Sequence, residues 1–256
     1  MQTAFVTGAS RGVGRGVAIG LAQGGFKVFG TGRSIEKADL PAGIARIRCD
    51  HTQDHETAAA FAKLENGGLD VLVNCAWGGY ENMMENGKFT WTVPFWEQAA
   101  HRWTGMMDAG VQAAFVASSF AARIMIPNRH GLIVNISFWP ARKYIGNVIY
   151  GVAKAATDKL TRDTAHELRP HAVTVISLYP GLVRTEAVLA AAQAGWLDLS
   201  NSESPEFIGR VVAALAHDPN VIERTGQALV AAVVAQELGV VDVDGKRPLP
   251  LTLEAV

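Results

Sequence analysis

Short runs of consecutive apolar residues alternate along the chain with longer stretches in which apolar positions recur every three or four residues. The runs at Thr3–Val6, Lys27–Gly30, Ala45–Cys49, Val71–Asn74, Leu132–Ser137, Val173–Leu178 and Ala228–Val230 predict strands. Most are apolar without alternation, as strands are when both faces of a sheet are covered. The stretches Gly14–Gln23, His55–Leu64, Met106–Met125, Tyr150–Leu168 and Pro205–Ala216 predict the intervening helices. Strand–helix alternation of this kind predicts an α/β fold, a doubly wound parallel sheet of about seven strands with right-handed crossovers.

No internal repeat, low-complexity segment or linker divides the chain, so residues 1–256 read as a single domain. Residues 77–98, WGGYENMMENGKFTWTVPFWEQ, depart from the pattern, with aromatics, glycines and a proline in no clear period. Such a long irregular loop is usually functional. It leaves the carboxyl end of the fourth strand, where ligands of open α/β sheets bind.

Composition narrows the partners. The formal net charge of the 256 residues is -1, and no Lys or Arg run stands out. Nucleic acid and anionic membrane surfaces need concentrated positive charge, so a small-molecule partner is expected. Two cysteines, Cys49 and Cys75, do not form a disulfide framework and point to a reducing, cytoplasmic setting. The first residues already read as a strand rather than a signal peptide, and no uninterrupted apolar stretch reaches the ~20 residues of a membrane span. A soluble protein is expected.

The first strand runs into Thr7-Gly8-Ala9-Ser10-Arg11-Gly12-Val13-Gly14 and then directly into a helical pattern. Glycines let the backbone of such a turn approach a diphosphate, and the helix N-terminus attracts its charge. This is the nucleotide-binding turn of a Rossmann fold. An NAD-binding unit usually ends its second strand with an acidic residue for the ribose hydroxyls. Here the chain reads Gly30-Thr31-Gly32-Arg33-Ser34 instead. Arg33 offers a planar fork for a 2′-phosphate and Arg11 a second positive charge, so the expected cofactor is NADP(H). Alternatively both arginines are solvated loop residues. Asp50 either accepts from the adenine amine or caps the following helix, or does both.

Tyr150-Gly151-Val152-Ala153-Lys154 places a phenol and an ammonium four residues apart on one helix face, roughly 5–6 Å apart at Cβ. A phenol titrates near about 10. A neighbouring ammonium favours the phenolate, which makes the tyrosine a proton donor to a carbonyl or an acceptor from an alcohol.

TGASRGVG, the DVLVN run at 70–74, the Tyr150/Lys154 pair and Pro180-Gly181, in this order across nearly the whole chain, resemble the short-chain dehydrogenase/reductase family. The resemblance implies hydride transfer between nicotinamide and a carbonyl carbon, with Tyr150 as acid/base and Lys154 holding the nicotinamide ribose. It also implies that Asn74 supports the end of the fourth strand and that Pro180, Gly181, Val183 and Thr185 line the nicotinamide. Residues 186–256 then form a substrate-side segment, and a homodimer or homotetramer is expected.

Departures from that family accompany the match. Family members read Asn-Asn-Ala-Gly where this chain has Asn74-Cys75-Ala76-Trp77. The family serine falls on Ser137 by its distance from Tyr150 but on Phe138 by strand register; Ser137 is the expected catalytic hydroxyl. Gly110 stands where the family has an asparagine of the proton relay. Trp77, Tyr80, Trp91, Phe95, Trp96, Phe138, Trp139 and Trp196 cluster in segments expected around the site. Trp77, Phe138, Trp139 and Trp196 are expected to wall a pocket for an apolar carbonyl or alcohol. His51 and His55 have metal-compatible spacing without a third ligand; no metal is expected, and both read as surface residues. Three readings follow: an NADP(H)-dependent carbonyl reductase or alcohol dehydrogenase, an NADPH-binding sensor or scaffold, and an NAD(H)-dependent enzyme.

Overall fold

The computed structural model describes residues 1–64, 68–81, 83–85 and 87–256. In chain order its elements begin β1 (Thr3–Thr7), α1 (Gly12–Gln23), β2 (Lys27–Gly32), β3 (Ala45–Arg48), α2 (Asp54–Phe61) and β4 (Val71–Asn74). A small ribbon, β5 (Met84–Glu85) and β6 (Lys88–Phe89), is followed by α3 (His101–Trp103), a π-helical stretch Thr104–Gln112 and α4 (Ala113–Asn128). Then come β7 (Gly131–Ile136), α5 (Val148–Leu168), β8 (Val173–Tyr179), β9 (Leu182–Val183), α6 (Glu186–Gln193) and β10 (Ser202–Glu203). The chain continues with α7 (Pro205–His217), β11 (Ala228–Val230) and α8 (Ala231–Glu237).

Seven of these strands form one parallel sheet in the order β11-β8-β7-β4-β1-β2-β3. The seven expected strands are those seven. Side-chain alternation sorts each strand between two cores. Ala4, Val6, Val71, Val73, Leu132 and Val134 enter the layer shared with α1, α7 and α8. Phe5, Leu72 and Ile133 enter the opposite layer with Phe61 of α2, Ala117 and Met125 of α4, and Ala165 and Leu168 of α5.

The sheet order runs one way from β1 through β2 to β3 and the other way from β4 outward. The switch point therefore lies between β1 and β4, where Thr7 is in register with Asn74. In open α/β sheets the ligand crevice forms outside such a point.

Several boundaries differ from expectation. Helix α2 ends at Phe61 rather than Leu64, and Ser137 lies just past β7 rather than within it. The loop 77–98 contains the β5–β6 ribbon, and its Asn82 and Asn86 lie outside the described residues. Helices α6 and α8 are not among the expected elements. The helical run His101–Asn128 is long and apolar enough to cross a membrane, at mean hydropathy 1.4 in its most apolar window. Its Ala113, Ala117, Ala121 and Met125 are buried.

Candidate nucleotide and catalytic site

The glycine turn sits over the switch point. The Thr7 hydroxyl accepts from the backbone N–H groups of Cys75 and Ala76 at 3.0 and 3.1 Å, tying the ends of β1 and β4 together. Gly8 has φ +68°, and a Cβ there would stand 2.8 Å from the Ala76 backbone. A Cβ on Gly14 would run into the Gly8 carbonyl, so α1 can start directly above the strand only with glycine there. Val13 packs against the core layer of α1, and the Ser10 hydroxyl is buried with no hydrogen-bond partner among the described residues.

Two carboxylates from distant parts of the chain occupy the positive positions around this turn. The Gly12 N–H at the start of α1 donates to Glu186 at 3.1 Å, and Arg15 pairs with the same carboxylate at 3.1 Å. Arg11 and Arg33 converge on one oxygen, Glu81 Oε1, at 2.8 and 2.9 Å. The two arginines are exposed, yet they share one anion rather than being separately solvated.

Behind Arg33, Asp50 accepts from the N–H and hydroxyl of Thr52 at 3.0 and 2.8 Å. It closes a turn before α2, whose N-cap position is Gln53, so the helix-cap reading of Asp50 is corrected. Burial raises the Asp50 carboxyl, but the Thr52 hydrogen bonds and the Arg33 charge carry it below its ordinary value. His51 is also corrected: it is buried, with Nε2 2.6 Å from the Thr31 hydroxyl and Nδ1 3.1 Å from that of Thr57. Burial pushes its imidazole down to about 4. His55 is exposed. No three His, Cys, Asp or Glu side chains converge as a metal site among the described residues.

At the other end of the crevice, α5 begins where Asn147 caps it, Oδ1 accepting from the Tyr150 N–H at 2.9 Å. The Asn147 amide also donates to the Trp91 carbonyl at 2.9 Å and to Gln98 at 3.0 Å, so one residue fixes both the helix and the loop facing it. Tyr150 and Lys154 lie one turn apart, both buried. Lys154 Nζ donates to the Ile136 carbonyl at 3.1 Å and sits 4.1 Å from the centre of the Trp77 ring. It is 5.9 Å from the centre of the Tyr150 ring.

Tyr150 is enclosed by aromatic rings. Trp77, Tyr80 and Trp91 have centroids 5.8, 6.0 and 5.2 Å from its own, and Phe138 and Met106 join the same cluster. The Tyr80 hydroxyl lies 2.8 Å from the Tyr150 hydroxyl.

Burial, followed by the Tyr80 hydroxyl, pushes the Tyr150 phenol well above its ordinary value. Lys154, expected to lower it, is not among the groups that set this direction. The lysine ammonium is turned toward Trp77 and Ile136, and burial pulls it down to about 8. Tyr150 is held neutral, the form that donates a proton.

The remaining expected residues divide. Asn74 donates to Asn135 Oδ1 at 2.8 Å and to the Ser118 hydroxyl at 3.1 Å, bracing the end of β4 against β7 and α4. Ser137 is buried, and its hydroxyl donates to the Lys154 carbonyl at 3.4 Å rather than to Tyr150. Phe138 is the neighbour that packs toward Tyr150. Thr185 caps α6, Val183 pairs with Glu203, and the Gly181 N–H after Pro180 donates to Glu203 Oε1 at 2.7 Å. Trp139 stacks edge-on against Tyr179 and donates to the Leu251 carbonyl at 2.8 Å. Trp196, beyond the end of α6, is 72% exposed. Neither belongs to the ring cluster around Tyr150.

Sequence reasoning missed Tyr80 as a hydrogen-bond partner, Glu81 and Glu186 as anions of the nucleotide end, and Glu203. It also missed Arg102, a buried guanidinium that pairs with Glu85 at 3.5 Å under the loop. Each meets its partner across a gap in sequence that no local spacing encodes.

A parallel sheet of this order with a glycine turn at its switch point is the Rossmann-like architecture of a nucleotide-binding α/β protein. The short chain dehydrogenase family model matches residues 2–194, and the chain belongs to the short-chain dehydrogenase/reductase family. It is similar to dehydrogenase/reductase SDR family member 1 of Mus musculus, at 37% identity over 96% of this chain and 84% of the relative. A 3-oxoacyl-acyl-carrier-protein reductase of Vibrio cholerae is 30% identical over 89% of this chain and 94% of its own. Among solved structures, a short chain dehydrogenase/reductase family protein superposes with a TM-score of 0.74 at 30% identity, covering 90% of this chain and 94% of its own.

Proposed function

We propose that this oxidoreductase is an NADP(H)-dependent reductase of apolar carbonyl compounds, with Tyr150 as proton donor and Lys154 beside it. The observation that carries the reading is the pair of anion positions at the nucleotide end. Arg11 and Arg33 meet on one carboxylate oxygen, and the Gly12 N–H at the start of α1 meets another carboxylate. These are the places where a dinucleotide with a 2′-phosphate presents its charges.

The residues present fit that group. Ser10, with its buried unpartnered hydroxyl, Gly12 and Val13 would hold the diphosphate. Arg11 and Arg33 would hold the 2′-phosphate, Asp50 the adenine side, and Lys154 the nicotinamide ribose, with Pro180 to Thr185 beside the ring. Bound NADPH supplies a hydride for the carbonyl carbon. Tyr150, kept neutral by burial, gives the proton to the carbonyl oxygen. Trp77, Trp91 and Phe138 provide an apolar wall that excludes water and suits an aromatic or otherwise apolar substrate. We further propose a homodimer or homotetramer, supported by the apolar side chains of Phe115 on α4 and Val152 on α5, both exposed; gel filtration with light scattering tests it.

Glu81 favours a second reading. A carboxylate beside Arg33 is also the group that accepts from unphosphorylated ribose hydroxyls, which points to NAD(H). Titrating both cofactors against intrinsic tryptophan fluorescence decides between them. Preference for NADPH, lost in Arg33→Ala, supports the first reading; equal affinities before mutation refute it. A panel of para-nitrobenzaldehyde, phenanthrenequinone and menadione then separates a reductase from a binding protein that holds NADPH without oxidising it.

A further inference from the structure

We propose that Tyr80 is a second catalytic hydroxyl, which returns a proton to Tyr150 as Tyr150 protonates the substrate. The inference deepens the carbonyl-reductase reading and rests on it. Tyr80 arrives from the irregular loop after β4, and its hydroxyl lies 2.8 Å from that of Tyr150, a full hydrogen bond.

The other polar groups near Tyr150 are engaged elsewhere. Lys154 is engaged by the Ile136 carbonyl and covered by the Trp77 indole. On the next helix, a Cβ at Gly110 would already stand 2.7 Å from the same indole, so no polar side chain reaches in from there. The Ser137 hydroxyl is directed onto the Lys154 backbone. Among the described residues, Tyr80 is the hydrogen-bond partner of the Tyr150 hydroxyl.

Tyr80 is held in place from both sides. Its ring packs against Trp77 and Trp91, with centroids at 5.9 and 5.7 Å. The next residue, Glu81, is anchored by Arg11 and Arg33. Tyr80 is 53% exposed as a residue, which brings the enclosed Tyr150 hydroxyl a neighbour at the protein surface, although burial raises the Tyr80 phenol above its ordinary value.

The proton account closes without another reagent. The Tyr150 O–H bond breaks as the carbonyl oxygen, made basic by hydride arriving at carbon from the reduced nicotinamide, takes the proton. The Tyr80 O–H bond breaks as a new O–H bond forms on Tyr150. The Tyr80 oxygen recovers a proton from solvent water, and one solvent proton enters the alcohol per turnover.

Tyr80→Phe keeps the ring and removes the hydroxyl. In the cofactor-free protein, NMR of isotope-labelled tyrosine at neutral pH reads the hydroxyl contact directly. The Tyr150 phenol carbon signal is expected to shift in Tyr80→Phe, without loss of thermal stability. With NADPH and phenanthrenequinone, the single-turnover rate is expected to fall about 10-fold or more, with altered solvent isotope effect and pH profile but unchanged NADPH affinity. An unmoved Tyr150 signal overturns the proposal. So does a Tyr80→Phe enzyme with wild-type rate and isotope effect while Tyr150→Phe is inactive. If Tyr150→Phe is as active as wild type, the reductase reading itself is what fails.

Discussion

Trp77 and Gly110 fill one space: a Cβ built on Gly110 would lie 2.7 Å from the Trp77 ring. In sequence they are two separate departures from the family pattern. In the structure they are a single exchange, in which an indole replaces a polar helix side chain and covers the Lys154 ammonium at 4.1 Å.

That packing predicts coupling. Gly110→Asn alone forces atoms into the indole and is expected to cost about 2–3 kcal/mol. Trp77→Ala alone leaves a cavity of similar cost. The double variant is expected to lose clearly less than the sum, because each change relieves the other. Denaturant unfolding of the four proteins measures this; strict additivity contradicts it.

On the proposed NADP(H) reading, Glu81 and Glu186 compete with the cofactor for the groups they hold. Glu81→Gln removes the charge between Arg11 and Arg33 while keeping its shape. NADPH is expected to bind severalfold tighter, and NADH to gain less because it lacks the 2′-phosphate. Isothermal titration checks both values. A drop in NADPH affinity contradicts the prediction and moves Glu81 into a supporting role toward ribose.

Burying Lys154 costs the fold stability. Lys154 titrates at about 8 in the fold against 10.5 ordinarily, chiefly through burial. Above 10.5 the amine is neutral in both states and costs little; the cost to the fold builds as pH falls from 10.5 to 8, where only the unfolded chain takes the proton, and is complete below 8. Lys154→Met is therefore expected to be about 1–3 kcal/mol more stable at neutral pH, the gain shrinking in alkali, while cofactor affinity falls. Thermal melts at pH 7 and 10 provide the comparison.

Glu203 gives the opposite slope. Burial, opposed by the Gly181 N–H and added to by Asp242, raises its carboxyl to about 7 from 4.5, with Arg184 opposing. A raised carboxylate pKa contributes stability that is complete below 4.5 and is lost as pH rises through 7. Glu203→Gln, which can still accept from Gly181, is expected to remove that decline, worth up to about 3 kcal/mol. Stability curves from pH 4 to 8 that stay parallel for the two proteins contradict this.

Much of the architecture was legible in the sequence because it follows from local periodicity. The two-residue alternation that sends Phe5 to one layer and Ala4 and Val6 to the other is written into β1 itself. The glycine turn, Arg33, Tyr150 and Lys154 stand out as candidates in the sequence because each belongs to a nearest-neighbour pattern. Glu81 was not, since it lies 48 residues from Arg33 and nothing local marks it as that side chain's partner. Lys154 illustrates a subtler loss. Its helix spacing to Tyr150 was right, but the direction of its ammonium depended on Trp77 and Ile136, which only the packed structure brings there. Trp139, placed near the active site by its neighbours in sequence, instead packs on Tyr179 and the chain's last segment for the same reason.

The most direct test is single-turnover oxidation of enzyme-bound NADPH by phenanthrenequinone in wild type and Tyr150→Phe, with NADPH affinity measured alongside. Loss of the proton donor is expected to slow the reaction by about 10²–10⁴-fold while NADPH still binds as tightly. A Tyr150→Phe protein that oxidises NADPH within about twofold of the wild-type rate would contradict the assignment of proton donation to Tyr150.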